Sequence, residues 1–137
     1  MTLLDVKIIQ LPKHEDIRGN LSILEGNNHI PFKIKRTYWI YDVPGGCIRG
    51  GHAFNVQDEF IIALSGSFDV IVDDGQNRQT FPLNRSYYGL YVPATLWREM
   101  NNFSTNSLAL VSSSTLYDEN DYVRDYKVFV NSKNNEK

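Results

Sequence analysis

The sequence predicts one all-β domain, a barrel or sandwich of short strands. Three observations carry the prediction. Strand-length runs rich in β-branched and aromatic residues recur along the whole chain. Between them glycine, proline, asparagine and aspartate gather as turn chemistry. No segment keeps a sustained helical apolar period, so the helices that would cover a parallel sheet are missing. At 137 residues, 42% of them apolar and 22% charged, the chain is long enough for a single domain with a real core.

Taken in order, VKIIQL, LSILE, TYWIYDV, DEFIIALSG, SFDVIVDDG, YYGLYVP, SLALVSSS and YKVFV are the predicted strands. The first is an apolar run that needs a strand partner. In TYWIYDV the alternation puts Tyr38 and Ile40 on one face and Trp39 and Tyr41 on the other. HEDIRGN, EGNNHIPF, PGGCIRGG, DDGQN and NNFSTN supply the turns. FDVIV and RQTFPL around DDGQN form the clearest hairpin. YDENDYVRDY is expected to form about one helical turn at most. The polar NSKNNEK is expected to fray, which bounds the domain at residues 1–130 and leaves 131–137 as a tail.

Bulk chemistry excludes several functions. A net charge of −2 gives no basic field for nucleic acid, so an anionic ligand must be held by a few placed arginines. No apolar run approaches the roughly 20 residues that span a bilayer. The single cysteine, Cys47, rules out an internal disulfide and fits a reducing compartment. MTLLDVKIIQLPKHED has acidic residues early and no signal-peptide layout. A cytoplasmic protein is expected.

The stretch RGGHAFNVQ, from Arg49 to Gln57, carries the chemistry. Its spacing resembles the first cupin motif, G-x5-H-x-H-x(3,4)-E-x6-G, with Gly46, His52, Glu59 and Gly66 in place and Phe54 where a second histidine would stand. The second cupin motif is kept more loosely: Pro93 and Asn102 fit, Thr95 stands at the glycine, and Arg98 replaces the histidine. A cupin metal centre uses imidazoles and a carboxylate. A phenyl ring has no lone pair to offer, and a guanidinium repels a cation. His14 and His29 sit in turn-rich segments without ligand-like spacing. No metal and no cofactor are expected.

A second resemblance covers roughly residues 5 to 130. It rests on DIRGNLSILEGNNHIPFKIKRTYWIYDVP, RGGHAFNVQDEFIIALSGSFDVIVDDG, LYVPATLWREMNNFS and above all YDENDYVRDYKVF. In these the chain resembles the dTDP-4-keto-6-deoxyglucose 3,4-ketoisomerases, the WxcM-like branch of the cupin superfamily. The resemblance implies a cupin-type jelly-roll β-barrel and a homodimer whose N-terminal strands pair across subunits. It also implies an isomerase that moves a keto group from C4 to C3 of a dTDP-linked hexose, on the route to 3-amino-3,6-dideoxy sugars of surface polysaccharides. The family reads R-G-x-H-A-H where this chain reads RGGHAF, and both of its histidines are held to serve the proton transfers.

That chemistry needs a base near neutrality, donors for an enediolate and cations for a diphosphate. His52 is the candidate base, since an imidazole titrates near physiological pH; a core histidine satisfied by a carbonyl is the plainer alternative. Tyr38 matches a family tyrosine beside the sugar, where a phenol polarises the carbonyl or relays a proton; otherwise it is a packing aromatic. Arg18, Arg36, Arg49 and Arg98 are candidates for the diphosphate, because guanidinium forks grip phosphate oxygens and stay charged. For most arginines a surface ion pair is the plainer reading; Arg49 and Arg98 stand out because their motif positions point into the barrel. Gln57 matches a family glutamine near the sugar, or pairs with a strand neighbour. Trp97 packs beside the nucleotide or plugs the barrel mouth. Phe54 leaves two functions standing: an isomerase running through His52 with Tyr38 or a bound water, and a non-catalytic nucleotide-sugar-binding cupin.

Overall fold

A computed structural model describes residues 1–136. Its strands are β1 (Lys7–Gln10), β2 (Lys13–His14), β3 (Leu21–Ser22), β4 (Arg36–Tyr41), β5 (Arg49–Phe54), β6 (Glu59–Ser65), β7 (Phe68–Asp73), β8 (Arg78–Leu83), β9 (Tyr88–Val92), β10 (Trp97–Asn101), β11 (Leu108–Ser113) and β12 (Tyr122–Val123). A helix, α1 (Tyr126–Asn135), follows them. Two five-stranded antiparallel sheets form the body, in the orders β1-β9-β6-β11-β4 and β12-β5-β10-β7-β8. From β4 onward successive strands mostly swap sheets, the jelly-roll pattern expected from the resemblance. The β2–β3 hairpin belongs to neither sheet.

Period-2 alternation builds the core between the sheets. Ile61 and Ala63 of β6, Val70 and Val72 of β7, Leu90 and Val92 of β9, and Ala109 and Val111 of β11 meet there with Leu83, Leu96 and Met100. β6 reads as a continuous apolar run because its other face is covered too. Phe60 and Ile62 pack under Leu11, Ile30 and Phe32 from the chain that crosses the outside of the first sheet. Toward β4 that outer face is left open, and Trp39, Tyr41 and Leu64 stand exposed on it.

The DDGQN hairpin turns as read. Asp74 accepts hydrogen bonds from the backbone of Gln76 and Asn77, and Gly75 takes a φ of +94°. Elsewhere the structure corrects the sequence. RGGHAF and WREMN, absent from the expected strands, are β5 and β10, and β10 is central between β5 and β7. Glycines and charges hide them from a propensity reading, while ladder bonds on both sides of β10 make it a strand. LSILE contributes only Leu21 and Ser22 to a strand.

YKVFV alternates like a strand but is helical, and the helix runs on through residues expected to fray. Asp125 caps it, its carboxylate accepting from the backbone N–H of Lys127 and Val128. Phe129 and Lys133, one turn apart, are both buried, and Lys133 Nζ donates to the carbonyl of Met1 at 2.9 Å. Tertiary packing overrides the local pattern.

Candidate active site

An open cleft of about 420 Å³ lies between the sheets where β4 faces β5. Period 2 aims Tyr38 and Ile40 of β4 into it, and Arg98 of β10 enters opposite His52, its direct antiparallel neighbour. β5 carries a bulge here. Arg98 pairs with His52, but Met100, two residues on, pairs with Arg49 rather than Gly50. The extra residue is taken up at the glycine pair, with Gly50 at φ +76°. Its effect is to turn Arg49 onto the inner face, where it lines the cleft. Tyr117, Tyr122 and Arg124 close the far side.

A buried polar network forms the floor. Arg98 is 2% exposed and Glu59 1%. Arg98 Nε lies 2.5 Å from Glu59 Oε1, and its Nη2 donates to the Tyr38 hydroxyl at 2.8 Å. Tyr38 donates in turn to Glu59 Oε2 at 2.6 Å, and Gln57 Nε2 donates to the same oxygen at 2.9 Å. Arg36 Nη2 and the Thr115 hydroxyl both donate to Gln57 Oε1, at 3.0 and 2.6 Å. Burial, helped by Glu59 and opposed by Arg98, pushes the Tyr38 phenol far above its ordinary range, so it stays protonated. Arg98 is raised as well: burial would lower it, and Glu59 and Tyr38 outweigh burial.

His52 sits edge-on to two rings, Phe54 at 4.8 Å and Tyr122 at 5.1 Å between centroids. Its Nε2 is buried without a protein partner. Burial first, then Arg98 and Arg124, push its pKa down to about 3. The expectation of a group titrating near neutrality is thereby corrected: at neutral pH the imidazole is uncharged.

Of the eight candidates, five line the cleft: Arg36, Tyr38, Arg49, His52 and Arg98. Gln57 stands behind them, its side-chain amide taken by Arg36, Thr115 and Glu59. Trp97 takes neither expected place. It lies on the other face of β10 from Arg98, 5.8 Å from Phe129 between ring centroids, and anchors α1 there. Arg18 is not at the cleft of its own chain; it is exposed on the β2–β3 hairpin and forked to Asp16. Among the described residues no group of three or more His, Cys, Asp or Glu side chains is placed to hold a metal ion. A larger cleft, about 600 Å³ on the outer side of the first sheet, is lined by Lys13 and Arg85 among Leu11, Leu24 and Leu64 and holds no imidazole.

The family model described as "FdtA: WxcM-like, C-terminal" matches residues 4–134. The chain belongs to the WxcM-like 3,4-ketoisomerase family. Relatives agree. A TDP-4-oxo-6-deoxy-α-D-glucose-3,4-oxoisomerase of Aneurinibacillus thermoaerophilus is 42% identical over 123 residues, covering 90% of this chain and 88% of its own. A Helicobacter canadensis 3,4-ketoisomerase superposes with a TM-score of 0.92 at 41% identity, over 95% of this chain and 98% of its own. A Thermoanaerobacterium thermosaccharolyticum 3,4-ketoisomerase, crystallised as a His-to-Asn mutant with TDP-4-keto-6-deoxyglucose, gives a TM-score of 0.95 at 32% identity, over 98% of this chain and 97% of its own.

Within this ketoisomerase, sequence reading missed Tyr117, Tyr122 and Arg124 as site residues and left Glu59 unassigned. The signal was present in both cases. YDENDYVRDY was the most specific string of the resemblance, and it delivers Tyr122 and Arg124 to the cleft mouth. There Arg124 lies 4.2 Å from the Tyr122 ring centroid and pairs with Glu119, which also accepts from the Tyr117 hydroxyl.

Proposed function

We propose that this protein moves the keto group of a dTDP-4-keto-6-deoxyhexose from C4 to C3 through an enediol. The buried unpartnered Nε2 of His52, facing cations in an open cleft, carries the reading. His52 takes the C3 proton; the C–H electron pair becomes the C3=C4 bond, and the carbonyl pair of C4 moves onto its oxygen. Collapse in the other direction leaves the carbonyl at C3 and a new C–H bond at C4. No redox cofactor is consumed, because C3 is oxidised as C4 is reduced. Tyr38, kept protonated by burial, assists by relaying a proton between the sugar oxygens. Three arginines of the cleft, Arg36, Arg49 and Arg124, hold the diphosphate. The product is the substrate for amination at C3, on the way to 3-amino-3,6-dideoxy sugars of surface polysaccharides, work that belongs in the cytoplasm. The working form is a homodimer.

One observation favours a second reading. Phe54 is 4% exposed and packs on His52, so no second imidazole serves the cleft, and a non-catalytic nucleotide-sugar-binding cupin is the alternative. Losing a general acid or base typically lowers rate about 10²–10⁴-fold. Incubation with dTDP-4-keto-6-deoxyglucose in deuterated water separates the readings. The isomerase puts solvent deuterium on the sugar carbons, read by NMR, and His52→Asn abolishes the label. A wild type that binds dTDP yet stays as inert as His52→Asn establishes the binder.

A further inference from the structure

Arg98 was expected among the diphosphate ligands, yet two of its three nitrogens already face protein oxygens. Nη2 is committed to Tyr38 and Nε lies against Glu59. Nη1 is buried and has no acceptor, on a side chain only 2% exposed that lines the cleft. An unmet buried N–H is costly and persists where a ligand satisfies it. The bulge in β5 leaves room for this atom: a Cβ on Gly50 would stand 2.7 Å from it. His52 Nε2, equally unpartnered, projects from the paired residue of the next strand.

A diphosphate offers several oxygens and suits open bidentate forks. Arg36, Arg49 and Arg124 line the same cleft without a buried countercharge of this kind. A single N–H beside a proton-abstracting imidazole suits one oxygen that gains negative charge during reaction. We propose that Arg98 is a catalytic residue, its Nη1 binding the oxygen on C4 as the enediolate forms, with Glu59 the positioning residue that holds the guanidinium in place. The proposal rests on the ketoisomerase reading and assigns a group to one of its steps. When His52 removes the C3 proton, the charge that arrives on the C4 oxygen meets a donor already oriented and already dry. The paired Glu59 keeps Arg98 from attracting the diphosphate into the floor of the cleft.

The test compares kcat with ligand affinity in Arg98→Met and Arg98→Lys. Turnover is followed with dTDP-4-keto-6-deoxyglucose and affinity by titration calorimetry with dTDP. A group acting in the transition state lowers kcat, here by roughly 10²–10³-fold, and leaves the dTDP Kd within about fivefold of wild type. Because Arg98→Met strands a buried carboxylate, Glu59→Gln/Arg98→Met is measured beside it, with thermal melting to establish folding; the same split is expected. A dTDP Kd weakened by more than about fivefold, whatever kcat does, overturns the proposal and returns Arg98 to the diphosphate. A kcat loss under about tenfold overturns it too. Failure of the ketoisomerase reading itself is seen separately, in the unmutated protein, as dTDP binding without isomerisation.

Discussion

At the scale of single residues, the consequences of burial outweigh those of residue type. His52 has an ordinary pKa near 6.5, and in the fold it is pushed down to about 3, by burial and then by Arg98 and Arg124. Between those values the unfolded chain binds a proton that the folded chain refuses. Stability is therefore full above about pH 6.5 and falls as pH drops toward 3, by about 1.4 kcal/mol per unit from this group. Urea unfolding at pH 7 and pH 5 measures the loss, and His52→Asn is expected to flatten it. An unchanged slope in the variant would show that His52 does not carry the effect. RGGHAF marked the histidine from the sequence, but its electrostatic surroundings come from Arg98 and Arg124, 46 and 72 positions further along.

At the scale of elements, β5 shows how a strand is shaped for a site. Gly50 meets two demands at once: a positive φ for the bulge, and empty space for Arg98 Nη1. Gly50→Ala is expected to destabilise the fold by about 1–3 kcal/mol from backbone strain alone. It should also displace the guanidinium and lower kcat, with thermal denaturation and turnover as the readouts. A variant with wild-type melting and activity would mean that the bulge tolerates a side chain. The glycine pair itself is legible in the sequence, directly before His52. What approaches it, an arginine from β10, is not, because β10 itself is hidden by its charged residues.

At the scale of the whole molecule, an apolar face of the first sheet stands open among the described residues. Trp39, Tyr41 and Leu64 are exposed on the outer side of the first sheet, next to the cleft lined by Leu11 and Leu24. Large exposed apolar residues gathered on a sheet face mark an interaction surface, and a second copy of the chain is the occupant the homodimer proposal names. Light scattering after gel filtration is expected to give twice the 15.8 kDa chain mass. Trp39→Glu is expected to return it to one chain; a single-chain mass for the unmutated protein refutes the dimer.

By itself the sequence determined the all-β class, most of the strands, the family and the histidine. Each of these is written in local alternation, turn residues or motif spacing. The tertiary structure alone decided that YKVFV is a capped helix, that Trp97 anchors it, that Arg18 stays outside the cleft of its own chain, and that Arg98 is locked between Glu59 and Tyr38. The reason is physical: contacts between distant strands set burial and hydrogen-bond partners, and those, more than local propensity, fix which groups are left free to meet a substrate.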